Sequence, residues 1–356
     1  MTAAPARSIV PPPRTAAEGP VGPPRETDWA AAVAAVRRWL PDGRILLVCH
    51  VNPDGDALGS MLGFAHGLRR LGARHVQATF PGPFDVPEPL REVPGVDRMI
   101  PETEAWTDPD LLVTFDAAST DRLGALASRL STARDSVVLD HHASNPGFGA
   151  VRLVDPAAAA TSVVVEQLLD RLDVPLDAEI AECLYTALTT DTGSFRFAAT
   201  TPAVHQMAAR LVATGIHPGE IAQRVFDSRP LGAVKLFGEV LGRCELDQDA
   251  AAGHGLCWTT ATLADLEKHG QRPHVLEALI DSVRCVAEAD VCVVLKQIAE
   301  DTWSVSMRSK GAVDVSRVAG LLGGGGHRAA AGFTGTGSPA DVLASIRSEL
   351  DGSVIR

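Results

Sequence analysis

His50-Val51-Asn52-Pro53-Asp54-Gly55-Asp56-Ala57-Leu58-Gly59-Ser60 decides how this chain reads, because it joins the apolar run Ile45 to Cys49 to a helix-like stretch, Ala57 to Leu71. In that stretch Leu58, Met61, Leu62, Ala65 and Leu68 recur at the spacing of one buried helical face. An imidazole and two carboxylates thus stand at a strand-to-helix junction. The same segment also fits an Asx-rich turn with Asp56 as the helix N-cap. Two further apolar runs end in the same kind of residue: Leu111 to Phe115 runs into Asp116, and Ser136 to Leu139 runs into Asp140, His141 and His142. Asp191 opens Asp191-Thr192-Gly193-Ser194-Phe195 at the end of another helical stretch. Short β-branched and aliphatic runs suit buried parallel strands, and open parallel sheets gather their ligands beyond the carboxyl ends of the strands. The expectation is a metal-dependent crevice along one sheet edge.

Working outward, residues 28–229 alternate strand-like and helical stretches, with strands at Ile45–Cys49, His75–Phe80, Leu111–Phe115 and Ser136–Leu139. Helices are expected at Ala57–Leu71, Arg122–Leu130, Ser162–Leu172 and Ala178–Thr189, and Pro81 to Pro94 reads as a loop. The fold class is α/β: a doubly wound parallel-sheet domain over 29–229, a connecting helix at 230–244, and a smaller α+β domain over 245–356. In the smaller domain, strands are expected at Gly255–Thr259, Cys285–Ala287, Val291–Ile298 and Trp303–Arg308, with helices at Thr262–Lys268, Val315–Leu321 and Pro339–Leu350. Residues 1–28, rich in Ala and Pro, read as a disordered tail without the apolar core of a secretory signal.

At 356 residues the chain suits two domains, each large enough to bury its own core. Its six cysteines are dispersed, without a CxxC pair, as in a reduced cytoplasmic protein; a Cys285–Cys292 bridge is the one disulfide alternative. No run reaches the roughly 18 apolar residues of a membrane span. A net charge of −12 argues against a protein that tracks long duplex nucleic acid, since that binding needs many phosphate contacts from Lys and Arg. At 4% aromatic residues, a stacking platform for long single strands is poorly supported, whereas a few nucleotides still fit.

Crowded carboxylates repel each other by roughly 4 kcal/mol per close pair at an effective dielectric near 20. Cations resolve the conflict: ionised Asp54, Asp56, Asp116 and Asp191 match two divalent ions. Oxygen and imidazole donors without thiolate favour Mn2+, with Mg2+ or Co2+ as alternatives. Downstream, Gly323-Gly324-Gly325-Gly326-His327 offers backbone N–H groups to an anion, although alone it also fits a loop with a surface histidine.

Taken in order, HxxPDxDAxGS at His50 to Ser60, the strand-end Asp116, Asp140-His141-His142 and Asp191-Thr192-Gly193 resemble the motifs of the DHH phosphoesterase superfamily. Gly323 to Gly332 resembles the signature of its companion DHHA1 domain. The two-domain layout is most similar to the bifunctional oligoribonuclease and phosphoadenosine phosphate phosphatase group. That resemblance implies one metal on His50, Asp54 and Asp116 and a second on Asp56, Asp116, His141 and Asp191. It further implies that His142 faces the substrate phosphate, that Asp140 orients its neighbours, and that Arg308, Gly325, Gly326 and His327 bind substrate. The implied reaction is two-metal hydrolysis of short oligoribonucleotides or adenosine 3',5'-bisphosphate, with cyclic or linear dinucleotides (c-di-AMP, pApA) as the alternative. Inorganic pyrophosphatases share the metal motifs but fit the second domain less well, and a RecJ-type exonuclease needs further domains. A catalytically silent nucleotide sensor is the contrasting reading, and a homodimer the default assembly.

Overall fold

The computed structural model describes residues 22–355. Residues 1–21 of the expected disordered tail lie outside the described residues, and the last residues assigned to it are helical. Helix α1 (Glu26–Arg38) begins inside it, because Asp28 Oδ2 accepts the Arg25 backbone N–H at 2.9 Å and Trp29 is buried.

Strands β1 (Arg44–Cys49), β2 (His75–Thr79), β3 (Leu111–Phe115), β4 (Asp135–Asp140) and β5 (Val151–Val154) form one parallel sheet in the order β2-β1-β3-β4-β5. Its centre is apolar on both faces, as parallel sheets covered by helices require: β1, β3 and β4 are buried almost throughout. Strand order reverses between β1 and β3, so a crevice opens at their carboxyl ends. His50 and Asp116 are the residues that follow those two strands.

Helix α2 (Gly55–Arg70) starts two residues earlier than its apolar period suggests, because the Asp54 side chain caps it by accepting the Ala57 N–H at 3.0 Å. Asp54, not Asp56, is therefore the N-cap. Between β3 and β4 the single helix expected at 122–130 is replaced by a 3-10 run, Thr120–Ser128, and a short α3 (Arg129–Thr132). Gly124, at φ 50° and ψ −134°, breaks the run. Helices α4 (Thr161–Arg171), α5 (Ala178–Asp191), α6 (Pro202–Val212) and α7 (Pro218–Phe226) complete this half.

The pairing of α2 with α5 carries Asp191 to the crevice. Gly55, Gly59, Gly63 and Gly67 recur every fourth residue along α2, and the first three face α5. A Cβ on Gly59 would collide with the Cys183 carbonyl oxygen, and one on Gly63 would stand 2.9 Å from Leu184. Without side chains in that stripe the two backbones approach closely, and the last residue of α5 reaches the amino end of α2.

Helix α8 (Leu231–Leu241) leads to a mixed sheet of β6 (Glu245–Asp247), β7 (Leu256–Ala261), β8 (Val291–Ala299), β9 (Thr302–Ser309), β10 (Gly325–His327) and β11 (Ala330–Thr336), in the order β10-β11-β9-β8-β7-β6. Only β7 and β8 run parallel. Around it lie α9 (Ala250–Gly253), α10 (Leu263–Lys268), α11 (Leu279–Val283), α12 (Val315–Leu321) and α13 (Pro339–Leu350). The strand expected at 285–287 is absent: the chain leaves α11 through turns, Cys285 N to Ser282 O and Val286 N to Val283 O, and Cys285 is exposed. All six cysteines are free, so Cys285 and Cys292 form no bridge. The glycine run is not an open loop but partly strand, with β10 and β11 making an edge hairpin. No helix among the described residues is long and apolar enough to cross a membrane.

Candidate metal centre

At the carboxyl edge of the parallel sheet the structure brings together the six side chains expected to ligate metal. His50 Nε2 lies 3.4 Å from Asp116 Oδ2 and 3.8 Å from Asp54 Oδ1. His141 Nε2 lies 3.5 Å from Asp116 Oδ1, 3.7 Å from Asp56 Oδ2 and 3.2 Å from Asp191 Oδ2. Asp116 belongs to both groups: His50, Asp54 and Asp116 on one side, Asp56, Asp116 and His141 on the other, each with donor atoms within 4.8 Å of one another. Its backbone is left-handed at φ 55°, a strained conformation for a non-glycine residue that turns the side chain off the strand end.

Each imidazole has one ring nitrogen already engaged. His50 Nδ1 lies 2.8 Å from the Val51 carbonyl oxygen and His141 Nδ1 lies 3.1 Å from that of Ala158. A carbonyl only accepts, so Nδ1 carries a proton in both rings, which leaves Nε2 as the atom facing the carboxylates and free to ligate a cation. His142 Nδ1 lies 2.8 Å from Asp140 Oδ1. Asp140, fully buried, also accepts the His141 and His142 backbone N–H groups at 2.9 and 3.3 Å, and the Asn145 side chain at 2.6 Å. It is thereby committed to orienting the two histidines.

Four contributors escaped the sequence reading. Thr161, the first residue of α4, gives its N–H to Asp56 Oδ2 at 2.6 Å and its hydroxyl to Asp116 Oδ1 at 2.9 Å. Ser162 N donates to Asp56 Oδ1 at 3.1 Å. Asn145 locks Asp140, and the Arg122 guanidinium, 3.1 Å from His50 Nδ1, adds a positive charge that works against protonating His50. The Thr-Ser pair ahead of the apolar run Val163 to Val165 is an ordinary helix-start signal; its partners lie too far along the chain to be guessed.

Electrostatics follow from burying carboxylates and imidazoles together. Burial, reinforced by Asp116, Asp191 and Asp54, raises the Asp56 carboxyl well above its usual range. Burial likewise pushes Asp191 up to about 6, against the opposing pull of His141. Asp116 goes the other way: burial opposes its ionisation, but His50, His142 and His141 override that and hold it below the carboxylate range. Burial also works against protonating His50 and His142, yet Asp116 with Asp54 raises the first to about 10, and Asp140 with Asp116 raises the second to about 9. Without cations, protons supply the positive charge this cluster demands.

The second domain closes over the centre. The His327 ring lies 4.6 Å from those of both His141 and His142, measured between centroids. Burial, then the charges of His141 and His142, lowers His327 to about 3. Gly325 and Gly326 stand beside it on β10, Gly326 at φ 139°, where a side chain is strained and would also meet Ala331. Arg308, on β9, has a buried Nε without a hydrogen-bond partner, while its Nη1 donates to the Met307 carbonyl at 3.0 Å.

Residues 44–188 match the DHH family, N-terminal domain, and residues 258–354 match the DHHA1 domain. The chain is 34% identical to the bifunctional oligoribonuclease and PAP phosphatase NrnA of Thermus thermophilus, across 94% of this chain and 98% of that one. Its fold is similar to an exopolyphosphatase-related protein from Bacteroides fragilis, with TM-score 0.80 and 22% identity over 92% of this chain and 96% of that one. It is also similar to Thermus thermophilus RecJ, solved in complex with Mn2+, with TM-score 0.52 and 16% identity over 92% of this chain and 56% of that one. The chain belongs to the DHH family, with a DHHA1 domain following its DHH domain.

Proposed function

We propose that this protein is a metal-dependent phosphoesterase that hydrolyses short oligoribonucleotides and adenosine 3',5'-bisphosphate. The observation that carries the proposal is Asp116, one buried carboxylate shared by two groups of oxygen and imidazole donors. The names of its relatives agree with it.

The donor set fits a pair of divalent cations. Asp56 and Asp191 resist ionisation as they stand, and His50 and His142 hold protons in compensation, a charge pattern that cations relieve. His50, Asp54 and Asp116 would hold one ion; Asp56, Asp116, His141 and Asp191 would hold the other. None of these donor groups includes a thiolate, which favours Mn2+ over structural Zn2+. When bound, such a pair supplies a nucleophile at neutral pH and neutralises charge on the phosphoryl oxygens.

The chain's own residues supply the rest. Asp140 fixes His142 with its proton on Nδ1, so Nε2 is the atom that meets a phosphoryl or leaving oxygen. His327 and the glycines of β10 face the same space from the second domain. Arg308 brings a guanidinium with a free N–H for a second phosphate. The test is a hydrolysis panel of diribonucleotide to pentaribonucleotide, adenosine 3',5'-bisphosphate, pApA and c-di-AMP, run with Mn2+, with Mg2+ and with chelator. Metal-dependent release of mononucleotide or of phosphate supports the proposal; turnover that survives chelation, or none with folded, metal-loaded protein, overturns it.

A further inference from the structure

A cavity of about 280 Å³ lies between the two domains, lined by Arg196, Phe197, Asp281, Arg284, Cys285 and Lys310. Arg196 and Phe197 follow α5, whereas the other four come from the DHHA1 side. It adjoins the metal centre: the Phe197 ring packs on Gly193, two residues past Asp191, so closely that a Cβ there would strike it. Arg308 stands between the two regions, since Asp281 and Arg284 of the cavity and Asp191 of the crevice all act on its guanidinium.

Three cationic side chains and one carboxylate line this cavity, so its positive charge is only partly compensated. In a chain of net charge −12, most arginines near the surface meet a carboxylate, as Arg37 does Asp173, Arg210 does Glu166 and Arg272 does Asp85. Among the described residues Arg196, Arg284 and Lys310 have no such partner within 4.0 Å, and Asp281 is the only acid in the lining. Their side chains are nevertheless held in place. Arg284 stacks on Phe197, 4.5 Å from the ring centroid; Arg196 Nε donates to the Gly193 carbonyl at 2.6 Å; and Lys310 Nζ donates to the Val286 carbonyl. Each arginine keeps N–H donors free, and a guanidinium fixed by stacking loses little freedom when it binds a phosphate.

We propose that this cavity binds the phosphate of the next nucleotide along the chain, so that substrates extending beyond the nucleotide at the metal centre are held by Arg196, Arg284 and Lys310. The inference rests on the phosphoesterase reading and refines its substrate class to ribonucleotide chains that span both regions. The size agrees: ligand cavities run from about 300 Å³ upward, so this one takes one phosphate-bearing unit and not a whole oligomer.

The experiment measures binding apart from turnover. Anisotropy of labelled diribonucleotide and pentaribonucleotide is titrated with full-length protein in chelator, for the wild type and for Arg284→Gln, Arg196→Gln and Arg284→Lys. The expected result is a tenfold or greater loss of pentaribonucleotide affinity in either Gln variant, a much smaller loss for the diribonucleotide, and partial rescue by Lys. The slope of log affinity against log salt should fall by about 0.7 for each phosphate contact removed from a single strand. Equal losses for both lengths would assign Arg284 to holding the domains together and overturn the proposal, as would unchanged affinity for both. Length-dependent binding without hydrolysis in Mn2+ would refute the phosphoesterase reading while leaving this site standing.

Discussion

Replacing Asp191 by Asn should make the metal-free protein more stable and the enzyme nearly inactive. Asp191 sits 3.2 Å from His141, its side chain 30% exposed, and burial with the Asp116 and Asp54 charges raises its carboxyl from 3.8 to about 6. A folded-state pKa above the unfolded one means that the folded protein holds the proton longer. Stability from this group is therefore complete below about pH 4 and is lost as the pH climbs through 6. A shift of that size corresponds to up to about 3 kcal/mol. Asparagine cannot ionise, so the variant escapes that loss. In chelator, the stability of Asp191→Asn relative to wild type should rise by up to about 3 kcal/mol between pH 4 and pH 7, read by urea unfolding at each pH. Mn2+ at a thousand times its dissociation constant should reverse the order, because such a ligand adds about 4.1 kcal/mol to the protein that binds it well. Hydrolysis by the variant should fall by about a hundredfold or more, the cost of a lost ligand shell. A metal-free variant less stable than wild type at pH 8, with the same pH dependence, would refute this account of the site's electrostatics.

Other outcomes follow from single contacts. Asp116→Ala removes the carboxylate common to both donor groups and should abolish hydrolysis with the far-ultraviolet circular dichroism unchanged; near-normal turnover by the folded variant would rule out the shared role. Thr161→Val keeps shape and backbone donor but deletes the hydroxyl that Asp116 accepts at 2.9 Å, so metal affinity, read by calorimetric titration, should weaken by about 10- to 100-fold. Gly59→Ala sets a methyl group against the Cys183 carbonyl, and thermal unfolding should show a loss of about 1–3 kcal/mol or more, with reduced activity as α5 and Asp191 are pushed from the crevice. A Gly59→Ala protein as stable and active as wild type would show that the close helix approach is unimportant.

What the sequence revealed were residues whose chemistry is visible locally. His50, Asp116 and the Asp140-His141-His142 run each end an apolar strand, so the sheet edge could be read before the sheet was seen. Thr161 was not legible, because its partners Asp116 and Asp56 lie 45 and 105 positions away and nothing local marks a hydroxyl as theirs. The glycines of α2 recur every fourth residue in the sequence, but the apolar period of Leu58, Met61, Leu62 and Ala65 accounts for a buried helix without them, so nothing local marks the close approach to α5. Two local errors share a cause: apolar residues at 123 and 126 or at 283 and 286 suit turns as well as regular elements, and Gly124 and the end of α11 decide for turns. The edge hairpin at β10 and β11 stayed hidden because glycine has little intrinsic strand preference, and pairing with β9 supplies it.

Counting manganese tests the central claim most directly. Electron paramagnetic resonance of the full chain titrated with Mn2+ should show two ions per chain, magnetically coupled through their common ligand, with the coupling lost in Asp116→Ala. One ion per chain, two ions without coupling, or none at saturation would contradict a two-cation centre joined by Asp116.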